Sequence, residues 1–111
     1  MDVVMEYLRY EVYLINLDPT IGSEIKKTRP CVVISPNEMN TNISTVIVAP
    51  LTSTKKNYPT RVNCRILKKE GQIVLDQIRT IDKKRLIKKI DVVNKRTRLK
   101  IHSVLEELFA Q

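Results

Sequence analysis

The chain has one histidine, no tryptophan, two glycines, two cysteines and only 5% aromatic residues. Each scarcity closes a route. A single histidine, His102, excludes a ribonuclease that works by a histidine pair acting as acid and base. Lying beside Ile101 in an apolar helical pattern, it reads as a core-edge or surface residue. Two glycines leave no glycine-rich phosphate loop. Cys31 and Cys64 stand in apolar, strand-like surroundings with neither a CxxC spacing nor a histidine nearby, so they read as buried, reduced thiols. The carboxylates show no two-metal spacing, and neither metal nor other cofactor is expected. No apolar run reaches the length that spans a bilayer. The start, MDVVMEYLRY, is acidic and too briefly apolar for a secretory signal, which predicts a cytoplasmic protein with no membrane association.

What the chain does have is charge, unevenly placed. Between Lys83 and Lys100 stand nine Lys and Arg against one acid, Asp91, which accounts for the whole net charge of +8. A basic segment of this kind suits a polyanion, either nucleic acid or an acidic protein tail, or else serves as a solvated helix face. With 111 residues, 42% of them hydrophobic, the sequence predicts a single domain, 1–111, small enough to gain from oligomerisation.

Strand signals follow one another closely. Glu11 to Leu17 is rich in strand formers and ends at an Asp18-Pro19 turn. An eleven-residue polar loop, Asp18 to Thr28, leads to Arg29-Pro30 and a continuous apolar run, Cys31 to Ser35, expected to be covered on both faces. Pro36 to Asn40 breaks it with one helical turn. Ser44 to Leu51 is a third strand, in which Pro50 predicts an edge or a bulge. Thr60 to Ile66 alternates, with Val62, Cys64 and Ile66 on one face. Lys68 to Gly71 reads as a hairpin turn and Gln72 to Thr80 as one strand. Lys83 to Arg85 reads as a turn and Leu86 to Val93 as a short segment. Asn94 then caps a helix whose Ile101, Val104, Leu105 and Leu108 lie on one face. Short twisted strands closed by a C-terminal helix predict an α+β domain of the SH3-like barrel type.

The stretches LDPTIGSEIKKTRPCVVISP, VIVAPLTS, NYPTRV and GQIVLDQIRTIDKKRL, in this order between Glu11 and Leu86, resemble the conserved blocks of the MazF/PemK (Kid-like) mRNA interferase toxins. The resemblance implies a CcdB/PemK-type fold and a ribosome-independent endoribonuclease toxin that cuts single-stranded RNA, leaving a 2′,3′-cyclic phosphate or 3′-phosphate and a 5′-hydroxyl. It also implies a homodimer with RNA along its interface, a cognate acidic antitoxin of the MazE type, and contact with operator DNA only through the toxin–antitoxin complex. In that family the arginine before proline and the threonine after the third strand matter most for cleavage. Here they are Arg29 and Thr52.

Side-chain chemistry agrees. RNA carries its own nucleophile, the 2′-hydroxyl, so a protein need only orient the strand, assist proton movement and stabilise the charged phosphate. Arg29 offers a fork of donors to two phosphate oxygens and Thr52 a hydroxyl donor. Taken without its motif, Thr52 is a plain turn residue, and Arg29 an ion-pair partner for Glu24. The Kid-type pair is broken, because its arginine position is Val74 and its histidine position Ser23, although Asp76 is retained. Asp76 reads as a ligand-orienting group or as a strand cap.

Substrate contacts are expected from the first loop, with Glu24, Lys26 and Lys27, and from the loop holding Ser53, Lys55 and Tyr58, whose ring is placed to stack on a base. Gln77 and Arg79 add contacts from the neighbouring strand. The competing reading is a non-enzymatic toxin of the CcdB type that binds DNA gyrase, or an inactive nucleic-acid-binding regulator. The ending Leu108-Phe109-Ala110-Gln111 lacks the Trp-Gly-Ile type of terminus which the gyrase poisons use.

Overall fold

The computed structural model describes residues 6–16 and 28–111. Its strands are β1 (Glu11–Asn16), β2 (Thr28–Val33), β3 (Thr45–Thr52), β4 (Arg61–Ile66), β5 (Lys69–Val74), β6 (Arg79–Asp82) and β7 (Leu86–Val92). Helix α1 is Asn37–Asn42 and α2 is Lys95–Phe109. The antiparallel sheet runs β4-β5-β3-β2-β1-β7, with β6 beside β3.

Alternation along the central strands divides the core into two layers. Val12, Val32, Ala49 and Leu51 pack with Val62, Ile73 and Ile101 on one face, whereas Ile15, Cys31, Val33, Val46, Val48 and Ile81 form the other. The run Cys31 to Ser35 is therefore covered on both sides, as its unbroken apolar character demands. Asn94 caps α2 by accepting a hydrogen bond from the Thr97 N–H at 2.8 Å. This turns Ile101 into the first layer, with Val104 and Leu105 packed against it; burying such an isoleucine contributes about 2–3 kcal/mol. Leu108 stays 38% exposed, so the apolar stripe ends a turn early.

Three features differ from the expectations. Pro50 lies in a central strand, at the place where the outer partner of β3 changes. Residues Thr45 to Val48 pair with β6 and Leu51 to Thr52 with β5, so the residue lacking an N–H falls in the gap between the two ladders. The hairpin turn is Leu67-Lys68, both with positive φ (50° and 63°), while Lys69 to Gly71 belong to β5. Residues 72–80 are not one strand: a 3-10 turn, Leu75–Gln77, separates β5 from β6 and lets the chain move from one ladder to the other.

The curl of the sheet brings its two ends together. At the β4–β5 hairpin the Leu67 N–H donates to the Asp91 carboxylate on β7 at 2.8 Å. The opening left between hairpin and sheet is the cleft described next.

Candidate active site

The β2–β3 ladder pairs Val33 with Val48, Val32 with Ala49 and Cys31 with Pro50. Continued by two residues, the same register sets Arg29 opposite Thr52. Each is held from its far side instead: Arg29 pairs with Ile15 on β1 and Thr52 with Gln72 on β5. The two strand ends thus open towards each other, and Arg29 and Thr52 line a cleft of about 460 Å³. Leu14, Pro30, Leu51, Ile66, Leu67 and Ile90 supply its apolar walls, and Ser53, Lys69 and Glu70 its polar ones.

Thr52 is fixed on two sides. Its hydroxyl oxygen accepts the Thr54 N–H at 3.1 Å, which leaves the hydroxyl proton free to donate to a ligand. Behind it, a Cβ on Gly71 would stand 2.6 Å from the Thr52 carbonyl oxygen, so only glycine allows β5 this close. Arg29 is exposed and has no hydrogen-bond or ion-pair partner among the described residues. Beside it Cys31 is buried, which pushes its thiol up to about 12 against the opposing charges of Arg29 and Arg79. That thiol is no nucleophile. Burial likewise raises Cys64, on the cleft wall, to about 11.

The remaining expected residues fall into three groups. Ser53 lines the cleft, Lys55 reaches it through a 3.0 Å ion pair with Glu70, and Arg79 stands on the Arg29 side, near Cys31. Tyr58, Asp76 and Gln77 lie at the other end of the β4–β5 hairpin. There Asp76 accepts from the Thr60 hydroxyl at 3.0 Å and from Arg61 Nε at 3.1 Å, and the Arg61 guanidinium lies 5.2 Å from the Tyr58 ring centre. Burial works to raise the Asp76 pKa, but these hydrogen bonds outweigh it and hold the carboxyl below its usual range. Gln77 is exposed in the 3-10 turn. Glu24, Lys26 and Lys27 lie outside the described residues, and with them the Arg29–Glu24 ion pair. His102 is bonded to the Tyr10 hydroxyl, and neither residue lines the cleft.

Two residues of consequence escape a reading of the sequence. Gln72 is buried and fixes the polar loop after β3: its amide donates to the Lys56 carbonyl and accepts from the Lys56 N–H, both at 3.0 Å. Glu70 brings a carboxylate into an otherwise cationic cleft. Among the described residues no three His, Cys, Asp or Glu gather closely enough to hold a metal ion, and no helix is long and apolar enough to cross a membrane.

Residues 8–109 match the model of the PemK-like, MazF-like toxin of type II toxin–antitoxin systems. The chain is 38% identical over 104 residues to endoribonuclease MazF of Staphylococcus epidermidis, covering 88% of this chain and 87% of that protein. An endoribonuclease from a mycobacterial species has the same fold, with a TM-score of 0.79 at 26% identity and coverage of 96% and 93% of the two chains. A mycobacterial endoribonuclease solved with its cognate antitoxin superposes equally well, with a TM-score of 0.79 at 26% identity and coverage of 91% and 92%. The curled sheet and its C-terminal helix are thus those of a known lineage, and the chain belongs to the PemK-like, MazF-like toxin family of type II toxin–antitoxin systems.

Proposed function

We propose that this protein is a sequence-selective endoribonuclease toxin that cuts single-stranded RNA at the Arg29–Thr52 cleft without a metal ion. In the reaction the 2′-oxygen bonds to phosphorus and the bond to the 5′-oxygen breaks. The 2′-proton is lost and the departing oxygen gains one, leaving a 2′,3′-cyclic phosphate and a 5′-hydroxyl. Arg29, which has no other partner among the described residues, donates two hydrogen bonds to the phosphate as its charge grows, and Thr52 donates a third. Electrostatic stabilisation needs no shift in the arginine pKa, which leaves proton movement to solvent and to the substrate itself.

The observation that carries this reading is the register that sets Arg29 opposite Thr52 at two open strand ends. The protein works as a homodimer in the cytoplasm, and a cognate antitoxin with an acidic tail covers the same surface, so RNA and antitoxin compete. The mycobacterial endoribonuclease solved with its antitoxin supports that partner, as does the net charge of +8.

The test is incubation of a long unstructured RNA with the purified protein in EDTA, followed by identification of the ends. Cyclic-phosphate ends at a recurring short sequence are expected, with cleavage suppressed by an acidic antitoxin peptide. Intact RNA in EDTA and cleavage on adding magnesium would overturn the metal-free reading.

A further inference from the structure

Glu70 is out of place in a site built for phosphate. The cleft that holds Arg29, Thr52 and Lys69 is to receive a polyanion, and a carboxylate on its wall repels every phosphate that comes near. Glu70 is nevertheless ionised: the Lys55 ammonium, hydrogen-bonded to it at 3.0 Å, holds its carboxyl below the usual range. An ionised carboxylate only accepts hydrogen bonds. Lys55 engages Oε2, and Oε1 has no partner among the described residues. A free acceptor, shielded by a lysine and set beside apolar walls, fits the edge of a nucleobase and not its phosphate.

The walls fit the same ligand. Leu14, Leu51, Ile66 and Ile90 are apolar, and the cleft volume of about 460 Å³ falls in the range of small-molecule sites. Unpaired RNA is read by splaying a base out of the stack and hydrogen-bonding its edge. Resting on the ribonuclease reading above, we infer that the cleft is a base subsite for a nucleotide flanking the cut phosphate. Glu70 is its specificity-determining residue, selecting adenine or cytosine over uracil and guanine. At the edge position facing the carboxylate, adenine N6 and cytosine N4 present an amino N–H donor, whereas uracil O4 and guanine O6 would set acceptor against acceptor.

The experiment is cleavage of an RNA pool randomised around the cut site, read by sequencing, with wild type, Glu70→Ala and Lys55→Ala compared. Both side chains are exposed, so neither change threatens the fold. Wild type should disfavour uracil and guanine by about tenfold or more at one position next to the cut. Glu70→Ala should erase that preference at that position alone and leave the end chemistry unchanged, while Lys55→Ala should retain it. An unaltered pattern in Glu70→Ala would overturn the assignment, and so would equal loss in both variants, which would trace selectivity to the ion pair. Absence of cleavage by the wild type would instead overturn the nuclease reading, and the subsite with it.

Discussion

Two residues show what local packing sets, one at the site and one in the fold that carries it. Gly71 reads in the sequence as a turn glycine, yet its place is mid-ladder, opposite Cys64 on β4 and pressed against the Thr52 carbonyl on β3. Gly71→Ala should push β5 away from Thr52 and lower the cleavage rate by at least tenfold while the circular dichroism spectrum stays that of a folded protein; unchanged cleavage would show that Thr52 tolerates the shift. Glu11 is the second. It is buried and accepts hydrogen bonds from Lys89 Nζ at 2.8 Å, the Leu8 N–H at 2.7 Å and the Tyr13 hydroxyl at 2.9 Å. Burial pulls its pKa up, but these bonds prevail and hold it below the ordinary carboxylate value. A lowered folded-state pKa means that its stabilisation is complete above the unfolded-state value, about 4.3, and is lost as pH falls through the folded one. Thermal melts from pH 7 to pH 3 should therefore show the gap between wild type and Glu11→Gln closing on acidification.

Elements differ in how far their sequences disclose them. The strand after Arg29 and the helix after Asn94 are legible because each rests on one local rule: an apolar β-branched run, and a cap followed by a helical stripe. The break between β5 and β6 is not, because Gln72 to Thr80 is uniformly strand-like; the turn arises from β3 changing partners, which is a tertiary event. The Leu67-Lys68 turn is hidden for a related reason, since neither residue signals positive φ and the pairing of Ile66 with Lys69, which leaves only two residues for the loop, imposes it. Helix α2 carries its charges against its dipole. Lys95, Arg96 and Arg98 begin it, and Glu106 and Glu107 lie near its end. Arg98 is accounted for by its bond to the Val93 carbonyl at 2.7 Å and its stacking on Tyr10, while Lys95 and Arg96 are exposed. Lys95→Glu should raise stability in urea by about 0.3–1 kcal/mol. A loss of stability would mean that the lysine has a structural partner.

At the scale of the molecule, the proposed function divides the work between the basic segment and the cleft. Lys88 on β7 and Lys95 and Arg96 on α2 are exposed cations outside the cleft lining. Neutralising all three should flatten the dependence of RNA affinity on salt, by about 0.7 in the logarithmic slope for each phosphate no longer neutralised, without changing the cut sequence. A changed cut sequence would mean that the segment reads bases. The proposed chemistry depends on topology, because it is the β2–β3 register that sets Arg29 and Thr52, far apart in the chain, opposite one another. The sequence names both residues through their motifs, but Leu14 and Ile90, which complete the cleft, come from strands that nothing local links to them. The most direct test is a double-mutant cycle on single-turnover cleavage in EDTA with Arg29→Lys, Thr52→Val and the double variant. Each single change should slow cleavage by about 100-fold or more, and the double variant should be far less impaired than the product of the two, as for groups acting on one transition state. Multiplicative losses would mean that the two residues act at separate places, and near-normal cleavage by either single variant would contradict the site.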